Sequence, residues 1–167
     1  MIRAGLSLLR RLLREEGGGI TVEFVATLPM ILAALAIVFE FGRGLWYHQI
    51  VTKGVRDAVR YAARYPAQGT ACTALDDNAD FLRQVRHVAL TGAPDGTATP
   101  AFWTDPNTVA VQMTATALDL RIPGACTVAV RADVPHNLAL LAPFSAFWEV
   151  EPAITITVQD QARYIGD

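Results

Sequence analysis

The chain has 167 residues, of which 52% are hydrophobic and 18% are charged, and its mean hydropathy is +0.29. This composition fits one small domain with a membrane segment better than two soluble domains. The formal net charge of -2, and a sequence without basic patches interleaved with aromatic residues, argue against a nucleic-acid partner.

The first eighteen residues are basic and rich in leucine. Their charged side chains are Arg3, Arg10, Arg11, Arg14, Glu15 and Glu16. Because the cytoplasmic flanks of membrane helices are enriched in arginine and lysine, residues 1–18 are predicted to be a cytoplasmic leader. Residues 42–167 are then expected to form a domain on the other side of the membrane.

An apolar segment follows this leader. No charged side chain occurs between Phe24 and Phe39, and Glu23 and Glu40 flank the run. A helix of that run alone would rise only about 24 Å, whereas the hydrocarbon core is about 30 Å thick. The predicted transmembrane helix is therefore residues 19–41. Both glutamates are expected at its ends, within reach of interfacial water.

Three interpretations of this region remain open. The basic start and the small residues Ala33, Ala34 and Ala36 are compatible with a secretory signal peptide, although the apolar run continues past them. A plain signal anchor would leave Glu23 at the membrane surface. The third interpretation gives Glu23 a partner, because an ionised carboxylate inside a bilayer costs about 2.5 to 3.5 kcal/mol even on the insertion scale.

The residues around Glu23 carry a family resemblance. A glycine followed shortly by Glu23-Phe24 and an apolar helix resembles the processing site of type IV pilin-like precursors of the Flp, or tight-adherence, system. Residues 23–29 and 55–63 resemble the TadE-like pseudopilins in particular. The resemblance implies cleavage by a prepilin peptidase between Gly18 and Gly19, so that Glu23 is the fifth residue of the mature chain.

The same resemblance implies a structural role. It implies a minor pilin-like subunit, anchored in the bacterial inner membrane with a periplasmic domain, that takes part in assembling a Flp-type pilus for surface adhesion. Its partners would be the prepilin peptidase, other pilin or pseudopilin subunits and the inner membrane. Cleavage would leave a charged amine on Gly19, which the Glu23 carboxylate of a neighbouring subunit can neutralise. The alternative is an anchored periplasmic binding or accessory module that never enters a filament.

The helical pattern continues beyond the membrane segment. Apolar residues recur at spacings of three to four at Leu45, Val51, Val55, Ala58, Val59 and Ala62. One helix is expected from Gly19 to Tyr65, with Pro66 ending it. Gly42 and Gly44 are expected to give a flexible point.

Three further features are predicted for the domain: an arginine stripe, a second helix and a long connection. Arg56, Arg60 and Arg64 recur every four residues and are expected to form a solvated stripe. A second helix is expected to end near Thr91, capped by one of the polar residues 76–78. Residues 92–106 are expected to form a long surface connection.

Alternating apolar residues predict three antiparallel strands, around residues 109–114, 126–131 and 154–159. Residues 136–148 are expected to be a short helix or an apolar flap, and their large side chains are expected in the core rather than at an interface. The predicted fold class is α+β and pilin-like, with a long N-terminal transmembrane helix, a second helix and a three-stranded antiparallel sheet.

Cys72 and Cys126 are the only cysteines. Both lie in the part of the chain predicted to be outside the cytoplasm, where an oxidising compartment favours pairing. One disulfide between them is therefore expected.

Residues suited to catalysis are few. The two serines, Ser7 and Ser145, do not lie in a nucleophile elbow. The histidines, His48, His87 and His136, lack the spacing of metal ligands and are expected to be ordinary surface or core residues. The sequence therefore predicts a protein that is not an enzyme, with no cofactor, no metal site and no catalytic residue.

Overall fold

One helix joins the apolar segment to the domain. The structure is a computed structural model, and it describes residues 19–66, 72–115, 126–144 and 153–165. Helix α1 (Gly19–Ala63) has 45 residues, which corresponds to a rise of about 67 Å. The predicted continuous helix is confirmed, and it continues without a break through Pro29, Gly42 and Gly44.

The two halves of α1 face different surroundings. The N-terminal half exposes its large apolar side chains, and its most apolar 18-residue window has a mean hydropathy of 2.3. The C-terminal half buries Val51, Val55 and Val59 in the core. Leu45 was expected on this buried face, but it is exposed because it lines an open groove beside Ile154 rather than the core. The predicted arginine stripe is exposed as expected.

Helix α2 (Ala79–Thr91) packs against α1. The Asn78 side chain caps it by accepting a hydrogen bond from the Phe81 N–H, and Gly92 ends it with a φ of 81°. The predicted cap region and end are confirmed. The helices approach closely at Gly54, where an added Cβ would lie 2.2 Å from the Ala89 carbonyl oxygen.

Three strands form a sheet that packs against the two helices. They are β1 (Val109–Ala115), β2 (Cys126–Asn137) and β3 (Ala153–Arg163), and they form an antiparallel sheet in the order β1-β2-β3. Alternate residues of β2 are buried against the helices, because neighbouring side chains on a strand point to opposite faces. The predicted α+β fold class, with its second helix and three-stranded antiparallel sheet, is confirmed.

The connection between α2 and β1 differs from the prediction at one residue. Residues 92–106 lie mostly on the surface, as expected, but Trp103 is almost completely buried in the core. Its indole N–H donates a 2.8 Å hydrogen bond to the Thr108 hydroxyl, so the polar edge of the ring is satisfied. A long connection of this kind is stable because a large aromatic side chain fixes it to the core.

The segment after β2 also differs in part. Strand β2 continues to Asn137, beyond the alternating residues from which it was predicted, and a short 3₁₀ helix occupies Ala142–Phe144. Leu140 was expected in the core, but 44% of it is exposed. Phe147 and Trp148, which belong to the same predicted apolar patch, lie outside the described residues.

Candidate functional site

The predicted processing and assembly motif lies at the N-terminal end of α1. Gly19 is the first residue of the helix, and Glu23 and Phe24 follow within its first two turns, all three exposed. In the described part of the chain, no hydrogen bond or ion pair joins Glu23 to another residue. Gly18, the predicted cleavage residue, lies outside the described residues, as does the rest of the leader.

The surface around Glu23 is apolar. Phe24, Val25 and Ile20 are more than half exposed. The Thr27 hydroxyl donates a 3.0 Å hydrogen bond to the Phe24 carbonyl, so this polar group is satisfied within the helix. The described chain contains one helix long and apolar enough to cross a membrane, and Glu23 is the acidic residue within its first turns.

The second acidic residue of this helix has a different environment. Glu40 is only 3% exposed, and both of its carboxylate oxygens have partners. Its Oε1 accepts a hydrogen bond from Arg43 Nη2, and its Oε2 accepts one of 3.1 Å from the Leu140 backbone N–H. The expectation that Glu40 would reach interfacial water is therefore wrong, because the segment after β2 folds back over it.

Arg43 connects this carboxylate to the sheet. Its Nη2 also donates a 2.6 Å hydrogen bond to the Asn137 carbonyl, the last residue of β2. Its guanidinium carbon lies 5.9 Å from the centre of the Tyr47 ring. One arginine thus joins α1 to the end of the central strand by charge, by a hydrogen bond and by contact with an aromatic face.

His136 completes the group. Its side chain is 3% exposed, and its Nε2 lies 3.2 Å from Glu40 Oε1. That distance is short enough for an ion pair, but the ring N–H is not aligned for a hydrogen bond. The Tyr47 ring meets His136 edge to face at 5.2 Å and stacks on Phe102 at 3.8 Å. His136 thus packs in the core, between the Glu40 carboxylate and the Tyr47 ring.

We refer to these three residues, Glu40, Arg43 and His136, as the junction cluster. Within the described ranges, no group of three or more His, Cys, Asp and Glu side chains is arranged to hold a metal ion, and the cluster supplies only two such groups. The cluster acts as a buried ion pair. Such a pair holds two elements together, and removing one partner lowers the stability of the fold because the other charge is left buried and unpaired. The cluster fixes the domain to α1 at the end of the apolar segment.

Sequence reasoning missed this cluster for a physical reason. The spacing of Glu40 and Arg43, three residues apart on a helix, was a local signal for their ion pair. The contacts to His136 and Leu140 join residues that are about a hundred positions apart in the chain. Only the pairing of the strands brings the end of β2 to that level of α1.

The predicted cysteine pair is described in part. Cys126 is the first residue of β2 and is buried, whereas the side chain of Cys72 lies outside the described residues. The 3₁₀ helix Cys72–Asp77 is held beside β1, because Asp76 accepts a 2.7 Å hydrogen bond from the Met113 N–H. The disulfide stays a prediction.

Comparison with known proteins finds a family on the same part of the chain. Residues 18–60 match the family model described as TadE-like protein. No curated protein and no solved structure matches the chain. The matched range begins at Gly18, includes both Glu23 and Glu40, and covers most of α1. The resemblance predicted from the residues around Glu23 is therefore confirmed for this segment.

Proposed function

We propose that the protein is a minor pilin-like subunit. The proposal is supported by the TadE-like segment at residues 18–60, which associates this chain with the Tad pilus. In this proposal a prepilin peptidase removes the leader after Gly18, and the mature chain takes part in assembling a Flp-type IV pilus for surface adhesion. Its role is structural rather than enzymatic. Its partners are the peptidase and the other pilin or pseudopilin subunits of the same system.

The observation that carries this proposal is the contrast between the two glutamates of α1. Glu40 is buried and has partners on both carboxylate oxygens, all of them from this chain. Glu23 lies about 25 Å away along the helix, on an exposed apolar surface without a partner in the described chain. Within a bilayer, a carboxylate in that position would be stabilised by a cation from outside the described residues.

Cleavage after Gly18 would create such a cation. The new amine on Gly19 has an ordinary pKa of about 7.7 to 8.0 and is therefore largely charged at neutral pH. The Glu23 carboxylate of a neighbouring subunit can pair with it. The pair is favourable because each charge would otherwise be desolvated alone, and it can set the axial position of one subunit against the next.

The membrane arrangement follows from the same segment. The apolar half of α1 is long enough to span a bilayer, which fits a membrane-anchored protein. We propose the bacterial inner membrane, with the arginine-rich leader in the cytoplasm and the domain in the periplasm, because of the positive-inside tendency.

The intact mass of the protein tests the processing step. The full chain is purified from cells with and without the prepilin peptidase. We expect the masses to differ by residues 1–18. Identical masses would support the alternative function, a permanently anchored periplasmic module that does not enter a filament.

A Glu23→Gln variant tests the assembly step. Gln keeps the size of the side chain but removes the charge, so we expect normal cleavage and a strong loss of the subunit from sheared pili. Thr27→Ala is the matched control, since it changes an exposed residue one turn away without altering charge. Equal incorporation of the Glu23→Gln and wild-type chains would refute the pairing of Glu23 with the amine.

A further inference from the structure

The membrane end of the domain exposes apolar side chains from three separate segments. Helix α1 contributes Phe41, Leu45 and Trp46, which are 72%, 57% and 62% exposed. Leu140, from the segment after β2, is 44% exposed, and Ile154, at the start of β3, is 48% exposed. These five residues are named here the membrane-end surface.

Contacts hold the five residues at one level of the molecule. The Leu140 N–H is hydrogen-bonded to Glu40, so the segment after β2 is tied to α1 one residue before Phe41. Ile154 is the strand partner of His136, which also touches Glu40. Phe41, Leu45 and Ile154 line one shared groove. The junction cluster therefore places the start of β3 and the segment after β2 beside residues 40–46 of α1.

That level coincides with the expected boundary of the bilayer. The helix from Gly19 to Glu40 rises about 32 Å, which is close to the thickness of a hydrocarbon core, about 30 Å. Tryptophan and tyrosine are enriched at membrane interfaces because their rings are apolar and carry one polar group. Trp46 and Tyr47 lie one to two turns beyond Glu40, where such a belt is expected.

Other parts of the domain surface are different in character. The outward face of the sheet carries Arg131 and Asp133 in an ion pair, and Thr157 donates a hydrogen bond to the same carboxylate. The outer side of α1 carries the exposed arginine stripe. The exposed apolar side chains of α1 therefore continue from its apolar segment into the membrane-end surface, whereas the ion pair of the sheet and the arginine stripe give other parts of the domain a charged surface.

We propose that the membrane-end surface rests in the interfacial layer of the lipid leaflet from which α1 emerges. The occupant is lipid, because the surface continues the lipid-facing side of the helix and lies at the depth where that helix leaves the bilayer. The inference rests on the proposed membrane span and goes beyond it. It adds that parts of the chain far from the span in sequence, at Leu140 and Ile154, also contact lipid.

Nitroxide labels on the full chain test this proposal. Leu140→Cys and Ile154→Cys variants are labelled and reconstituted into vesicles of phosphatidylcholine and phosphatidylglycerol. The accessibility of each label to oxygen, which concentrates in lipid, is compared with its accessibility to a water-soluble nickel chelate. The unsubstituted chain, treated in the same way, measures any label on the native cysteines. We expect an oxygen-to-nickel ratio several-fold higher at both positions than at a distal control.

Ala79→Cys is that distal control. Ala79 is exposed and is the first residue of α2. It lies two residues before Phe81, whose ring meets the Tyr65 ring at 5.0 Å. The start of α2 is therefore near the C-terminal end of α1, roughly 30 Å beyond Phe41 along that helix. Leu32→Cys, exposed in the middle of the apolar segment, is the control for the span itself.

The outcomes separate the two proposals. If Leu32 is accessible to oxygen while Leu140 and Ile154 resemble Ala79, the span is supported and the lipid contact of the domain is refuted. If Leu32 also resembles Ala79, the proposed membrane anchoring fails, and the lipid contact fails with it. Low accessibility to both reagents, with dipolar broadening that grows with protein concentration, would show that a second copy of the chain covers the surface instead of lipid.

Discussion

Two acid–arginine pairs with the same helical spacing differ in burial. Glu40 and Arg43 lie at the membrane end of the domain, and Asp80 and Arg83 lie on the surface of α2. Removing one partner of a buried pair leaves an uncompensated charge, whereas an exposed pair is screened by water. Because the spacing is the same in both pairs, comparing them shows how much burial contributes to the free energy of unfolding.

We expect Glu40→Ala to lower the free energy of unfolding by about 3 kcal/mol, because Arg43 and the Leu140 N–H lose their shared acceptor. Asp80→Ala, the matched exposed change, is expected to cost about 1 kcal/mol or less. Denaturation of the full chain in detergent, followed by near-ultraviolet circular dichroism, measures both values. Similar losses for the two variants would contradict a special role of the junction cluster.

A surface carboxylate gives a prediction for acid stability. Asp133 accepts hydrogen bonds from Arg131 and Thr157, and these bonds, with the charge of Arg131, hold the pKa of Asp133 below its ordinary value. Because the pKa is lower in the folded state, the stabilisation is complete above the ordinary carboxyl pKa. It is lost as the pH falls through the folded value.

Asp133→Asn should therefore flatten the acid limb of the stability curve. The difference between wild type and variant is expected to be largest near neutral pH and to shrink as the solution becomes acidic. Asp160→Asn on β3 is the control, since the one hydrogen bond that Asp160 accepts within the described ranges comes from the N–H of the next residue, Gln161. Melting temperatures measured across acidic pH give the slopes, and parallel curves for wild type and the Asp133 variant would refute the prediction.

At the scale of elements, the contact between α1 and α2 depends on one small residue. A Cβ added at Gly54 would lie 2.2 Å from the Ala89 carbonyl oxygen and 3.0 Å from the Trp103 ring. Backbone cannot move aside as a flexible side chain can. Gly54→Ala should therefore separate the helices and lower the free energy of unfolding by about 2 kcal/mol, even though alanine favours a helix.

Gly42→Ala is the matched control on the same helix. A Cβ there meets nothing within 4 Å, so the substitution should be neutral or stabilise by up to about 1 kcal/mol. Thermal unfolding of both variants decides the question. A stable Gly54→Ala protein would show that the two helices are free to adjust their separation.

The elements were predictable where a local pattern determines them. The alternation around Val130, the periodicity around Val55 and the cap at Asn78 each depend on neighbours in the sequence, and the structure confirms all three. Gly54 and Trp103 were not recognised, because their importance comes from residues that approach them only after α2 folds onto α1. The junction cluster was missed for the same reason.

At the scale of the whole molecule, the domain is attached to α1 at two places, near residue 40 and near residue 63. The junction cluster joins β2 to the membrane end of the helix. At the other end, the Ile165 N–H donates a 2.8 Å hydrogen bond to the Ala63 carbonyl, and the Tyr164 hydroxyl donates one to the Tyr65 carbonyl. Because α1 is continuous between them, the two attachments fix the domain at both ends of the helical segment on which it packs.

The predicted disulfide would reinforce the second attachment. Asp76 holds the 3₁₀ helix beside Met113 of β1, two residues before Ala115, which is the strand partner of Cys126. A bond from Cys126 to Cys72 would close a loop of roughly 50 residues and contribute on the order of 4 kcal/mol in the chain-entropy model. Such a bond would hold the end of the sheet to the segment that follows α1.

We therefore expect that the full chain, purified without reductant and then denatured, takes up no alkylating mass tag, and that it takes up two tags after reduction. Cys72→Ser, which leaves Cys126 alone, should take up one tag without reductant and unfold at a lower temperature than wild type. The double variant should lose the same stability as the single variant, because breaking the bond once removes its whole effect. Two tagged thiols in the unreduced wild type would refute the bond and leave the second attachment to hydrogen bonds and core packing.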